Sequence, residues 1–345
     1  MIMRKSFRPV RALLLAALGL AGLGAPAEEP ASFADVARKK PDITIVVTDS
    51  GLGGLSVAAD LAARLPASGI VRSARIVFVN AEPDVALGYN DMRLEADKAR
   101  VFDAALSAME ARWEPDLILI ACNTLSVVYP GTAHAKRGGT RTVEIVGLGA
   151  DLVHGELVAK PDATALLFGT KTTIESGAHA RLLAESGVPA DHVVGEACPR
   201  LVGAIERGAA SDETVAYVKK FVAEALGKRK DKAGPVVASL NCTHFGYVRS
   251  LWEQAFAAAG YPGVKVLDPN PLMTDLVLRE GGAKRYPRTA VTVEVVSKVP
   301  IGEATRANLG ALLRTVSPET ADALAAYRLE PALFPAAVDP SAVVH

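Results

Sequence analysis

Cysteine is scarce: Cys122, Cys198 and Cys242 are the only three in 345 residues. Three is too few for a disulfide framework and is odd, so at least one thiol is expected to be free. A charge excess is missing too, because 38 basic residues balance 38 acidic ones, and no net field steers the chain toward nucleic acid. No tandem repeat is present, which excludes a solenoid. The apolar run "ALLLAALGLAGLG" is too short to span a bilayer. Two nucleotide-binding signatures fail as well. The glycine-rich loop "TDSGLGGLS" (48–56) has Ser56 where a dinucleotide fingerprint needs glycine, and it lacks the Gly-Lys-Ser/Thr ending of a phosphate-binding P-loop.

What is present begins with a leader-like N-terminus. "MIMRKSFRPVR" is basic, the apolar run follows, and "APA" at 25–27 matches a small-x-small cleavage site. Residues 1–27 are therefore expected to be a signal peptide, and the mature protein to be exported to the periplasm with no membrane attachment.

Beyond it, short runs rich in Val and Ile recur: "ITIVVT" (43–48), "RIVFVN" (75–80), "DLILIA" (116–121), "VEIVGL" (143–148), "TALLFG" (164–169), "PVVASL" (235–240) and "VKVLD" (264–268). Continuous apolar runs suit strands covered on both faces. Between them, "GLSVAADLAARL" and "EADKARVFDAALSAMEAR" carry apolar residues at helical spacing. The pattern predicts an α/β protein with largely parallel sheets. The tail from about residue 318, with "ETADALAAYRL" followed by proline-broken sequence, is expected to be peripheral or partly disordered.

In open parallel sheets, ligands bind at the carboxyl ends of strands. Asp49 and Ser50 stand at the first such end, and Gly51, Gly53 and Gly54 let the backbone turn toward a ligand. "ACNT" (121–124) and "NCTH" (241–244) each follow an apolar run. A lone cysteine is usually a small buried hydrophobe. Two that recur in the same setting, each with a threonine within two positions, are better explained as a pair. Opposed thiols across one pocket can take a proton from one face of a carbon and deliver another to the opposite face. Asn123, Thr124 and Thr243 offer hydroxyl and amide groups suited to a carboxylate, and Asp49 and His244 can tune the thiols. Cys242 and His244 alone are too few for a metal site. Cys198 and the histidines at 134, 154, 179 and 192 are expected to be structural or surface residues.

"TDSGLGGLSV", "ACNTLS", "GTKTTIESGAH" (169–179) and "NCTHF", in that order, resemble the signature segments of glutamate racemase, in the cofactor-independent aspartate/glutamate racemase family. The resemblance runs from about residue 42 to residue 271. It implies two similar α/β domains with the active site between them, no cofactor or metal, and proton transfer at one carbon by Cys122 and Cys242. Asp49 and His244 would assist, and Ser50, Asn123, Thr124 and Thr243 would hold the amino acid. Gly88, Tyr89 and Asn90 stand where the family commonly has Pro-Tyr-Gly and would line the substrate. Phe245-Gly246 replaces a usual Tyr-Pro, and Asp151 is the one acidic candidate after "IVGLG". The domains would comprise 42–147 plus about 246–317, then 148–245, with 318–345 as a C-terminal extension. Glutamate racemases of this kind supply peptidoglycan precursors in the cytoplasm, so an exported relative would act elsewhere. Three functions follow from this reading: a racemase acting on glutamate foremost, an isomerase or decarboxylase of the same superfamily on another carboxylic acid, or a binding protein that keeps the cleft. The partner is a small amino or carboxylic acid, and a homodimer stays open.

Overall fold

The computed structural model describes residues 32–336. It contains two sheets, and every strand pairing in them is parallel. The first is built from β1 (Asp42–Asp49), β2 (Ser73–Asn80), β3 (Leu117–Ile120) and β4 (Thr142–Glu144). The second follows with β5 (Thr164–Gly169), β6 (Val193–Ala197), β7 (Val236–Asn241) and β8 (Lys265–Leu267). The chain then returns to the first sheet as β9 (Ala290–Ser297) and β10 (Arg328–Leu329). The spatial orders are β10-β9-β2-β1-β3-β4 and β6-β5-β7-β8.

Alternation along the strands shows why the runs are apolar throughout. In β1, Ile45 and Val47 enter one buried cluster and Val46 enters another, across the sheet. Ile76 and Phe78 of β2 oppose Val77 and Val79 in the same way, as Leu117 and Leu119 of β3 oppose Ile118 and Ile120. β5 of the second sheet likewise sends Leu166 and Phe168 one way and Ala165 and Leu167 the other. Both faces of each sheet are thus covered, as parallel strands require. Each such Val, Ile, Leu or Phe side chain contributes roughly 1.5–3 kcal/mol when fully buried.

The helices Leu55–Ser68 and Glu95–Trp113 form where helical spacing predicts them. Three segments depart from expectation. "VEIVGL" is strand only as far as Glu144, whose carboxylate accepts hydrogen bonds from the Val146 and Gly147 amides and starts the helix Ile145–Ala159. β8 belongs to the second sheet, although its residues fall in the stretch expected to rejoin the first. The tail is no peripheral appendage as far as residue 336, because helix Pro318–Ala325 buries Ala321 and Leu324, β10 pairs with β9, and Phe334 is buried.

Candidate active site

Strand order reverses around β1 in the first sheet and around β5 in the second. Such reversals part the loops at the carboxyl ends and leave a crevice. Asp49 and Ser50 emerge from β1 and Cys122 follows β3, on the two sides of the first crevice. Thr170 follows β5 and Cys242 follows β7, on the two sides of the second. The crevices face each other across one cavity of about 170 Å³.

Asp49, Ser50, Cys122 and Cys242 line this cavity, with Asn123, Thr124, Thr243 and His244 beside them and Gly88, Tyr89 and Asn90 on the loop after β2. The structure therefore brings the two cysteines and the residues expected to assist them or hold the substrate to one cavity, Asp151 excepted. Asp151 is exposed on helix Ile145–Ala159 and is not among the lining residues. Among the described residues, no group of three or more His, Cys, Asp or Glu is disposed to hold a metal ion.

Cys122 caps the helix Asn123–Val128, its sulfur accepting from the Leu125 amide at 3.4 Å and sharing a hydrogen bond with Ser50 Oγ at 3.1 Å. Burial, with the charge of Asp49 next to it, pushes the thiol well above its ordinary range, so Cys122 holds its proton. Asp49 is itself pushed up by burial. Its Oδ2 accepts from Thr243 Oγ1 at 2.7 Å, across the two units, and its Oδ1 from the Gly51 amide at 3.1 Å.

The other thiol has a different neighbour. His244 Nε2 donates to Glu206 Oε1 at 2.7 Å. Burial disfavours the imidazolium, but hydrogen bonds to Cys242 and Glu206 and the charges of both outweigh it and hold His244 well above its ordinary value. One sulfur thus sits beside a carboxylate and the other beside a cation.

Contacts between the units close the cavity. Thr124 Oγ1 meets Thr170 Oγ1 at 2.8 Å, and Thr170 meets Thr173 Oγ1 at 3.0 Å. Asn90 Oδ1 accepts from the Thr172 amide at 3.1 Å, and the buried Lys98 donates to Thr172 Oγ1 at 2.7 Å. Gly53 is required by close approach, since a Cβ there would lie 2.2 Å from Thr243 Oγ1 and 2.7 Å from the His244 amide. Asn123 is 2 % exposed, and both polar atoms of its side chain lack a partner. Unpartnered buried amides of this kind await a ligand or water.

Sequence reading missed Glu206, Glu82, Thr170 and Asn241. Glu206 lies on helix Leu201–Arg207, where nothing local marks it. Glu82 and Asn241 stand at or just past strand ends, so the rule that singles out Asp49 applies to them equally.

Two doubly wound parallel units, joined at the carboxyl ends of their strands around a small polar cavity, define an α/β protein with an interdomain ligand cleft. No protein-family model matches the chain. It is 30% identical over 234 residues to the glutamate racemase of Paracoccus denitrificans, covering 62% of this chain and 77% of the relative. To that of Chlorobaculum tepidum it is 26% identical over 265 residues, covering 75% and 89%. The crystal structure of glutamate racemase from Francisella tularensis in complex with D-glutamate superposes with a TM-score of 0.61 at 19% identity, covering 80% of this chain and 95% of that one. The chain belongs to the glutamate racemase family, whose members are isomerases.

The periplasmic location expected from residues 1–27 is corrected accordingly. The relatives are glutamate racemases, which are cytoplasmic enzymes, and export of this chain has no support. The signal-peptide segment itself lies outside the described residues. No helix among the described residues is long and apolar enough to cross a membrane.

Proposed function

We propose that this protein racemises glutamate without a cofactor, by transferring the α-proton between Cys242 and Cys122. One observation carries the reading: both thiols line one cavity, each beside its own titratable partner. With His244 cationic next to it, Cys242 is the thiol placed to act as the base and take the α-proton, breaking the Cα–H bond. Cys122, kept protonated by burial and Asp49, delivers its proton to the opposite face. The configuration inverts and the two sulfurs exchange roles, so the reverse reaction starts from the state the forward one leaves. The Asn123 amide and the Thr124 hydroxyl serve as donors to the α-carboxylate, where negative charge grows as the proton departs, while Thr243 lines the site with its hydroxyl proton given to Asp49. Ser50, Gly88, Tyr89 and Asn90 complete the enclosure. The D-glutamate so formed is a peptidoglycan building block.

Reduced protein incubated with L-glutamate in deuterated water should yield D-glutamate with deuterium at the α-carbon. Cys122→Ser and Cys242→Ser should each lose racemisation by at least about a thousandfold, about 4 kcal/mol of transition-state stabilisation. Full activity in either variant refutes the two-thiol mechanism.

A further inference from the structure

The cavity's charges do not balance. Asp49, Glu82 and Asp91 line it against the one cationic side chain of His244, and among the described residues no lysine or arginine lines it. Asp49 has both oxygens engaged, by the Gly51 amide and the Thr243 hydroxyl. Asp91 is exposed and accepts from the Gly88 amide at 2.8 Å. Glu206, behind the lining, is committed to His244. Glu82 differs from all three. Its backbone amide donates to Asn80 Oδ1 at 3.0 Å, its carboxyl group has the Asn80 side chain beside it, and the cation that acts on it, His244, is hydrogen-bonded to Glu206 instead.

We propose that Glu82 is the anchor for the α-ammonium group of the bound amino acid. The inference rests on the racemase reading, which fixes an amino acid as the ligand and leaves its α-carboxylate to the neutral donors Asn123 and Thr124. The ammonium then needs an acceptor facing the cavity with free lone pairs, and Glu82 supplies it. An ammonium placed there also offsets repulsion among Glu82, Glu206 and Asp49. Holding it fixes which face of the α-carbon meets each sulfur, a positioning function apart from the proton transfers themselves.

Glu82 faces Glu206 on helix Leu201–Arg207, His244 on the turn Thr243–Val248, Asp49 on β1 and the Asn80 side chain on β2. Burial first, then the charge of Glu206, raises its carboxyl to about 7. Near neutrality it is therefore only partly ionised, and an arriving ammonium favours the ionised form. Amino-acid affinity should fall as pH drops below about 7, because the ammonium must then displace a proton from Glu82.

Calorimetric titration of the full-length protein with D-glutamate and with glutarate, the same carbon skeleton without the amine, tests the proposal. Glu82→Gln should weaken D-glutamate binding roughly tenfold to a hundredfold and leave glutarate binding unchanged or tighter. Retained glutarate binding also shows that the variant's cavity is intact. Glu82→Asp should keep part of the preference for the amine. Equal weakening of both ligands, or of neither, overturns the anchor while leaving the racemase reading standing. Failure of the wild-type protein to bind either ligand overturns that reading and the anchor with it.

Discussion

Glu206 is not among the residues that line the cavity, yet it governs one that is. Its carboxylate accepts a hydrogen bond from His244 Nε2 at 2.7 Å, and its charge helps hold that histidine cationic against burial. Replacing it with glutamine keeps the shape and removes the charge. The folded-state value of His244 then falls, so the imidazolium beside Cys242 is lost at a lower pH than in the wild type. For Glu206→Gln we expect kcat to drop about tenfold to a hundredfold near neutrality and the basic limb of the pH–rate profile to move toward acid. A pH–rate series on both proteins checks this, and an unmoved basic limb separates Glu206 from the chemistry.

At the scale of elements, helix Ala178–Glu185 carries a group that makes stability depend on pH. His179 is buried, its Nε2 has no partner, and burial lowers it to about 4 from an ordinary 6.5. Between those values the unfolded chain binds the proton and the folded one does not. The contribution of a neutral buried His179 is therefore present above about 6.5 and is lost as pH falls toward 4, by at most about 3 kcal/mol. Asp268, raised by burial to about 6, runs the other way over an overlapping window. The informative quantity is thus the difference between wild type and His179→Gln. Urea midpoints of the two should converge, or cross, as pH falls from 7 to 4.5, and parallel curves would dismiss the effect. Elements also show where sequence is a sufficient guide. Asp49, Cys122 and Cys242 were legible because each ends a strand, and topology sends parallel strand ends to one crevice. Glu206 was not, because its meeting with His244 spans 38 residues and leaves no local trace. β9 escaped because only its last three residues are fully buried, so "AVTVEVVS" lacks the continuous apolar character of β1. "VEIVGL" misled because hydrophobicity alone does not reveal a capping carboxylate at Glu144.

For the molecule as a whole, the stretch from 318 to 336 is structural. Leu324 and Phe334 are buried against the first unit, and β10 covers the outer edge of β9. Ending the chain at Ser317 removes apolar burial on the order of 5 kcal/mol, comparable to the net stability of many domains. The truncated protein should be recovered mostly insoluble or unfolded by circular dichroism, and a truncation with an unchanged melting temperature would contradict this.

The return of the chain to its first sheet has a consequence in time. β2 pairs along its whole length with β9, and Asn80 meets Ser297 across a separation of 217 residues. A ribosome working at roughly 5–20 residues per second needs about ten to forty seconds to bridge that interval. Throughout it the nascent first sheet has β2 as an unprotected border, its amides and carbonyls open to any passing strand. The second unit, contiguous from β5 to β8, can meanwhile fold to completion. The unit begun second can thus be finished first, because the first sheet is complete only once β9 and β10 have emerged.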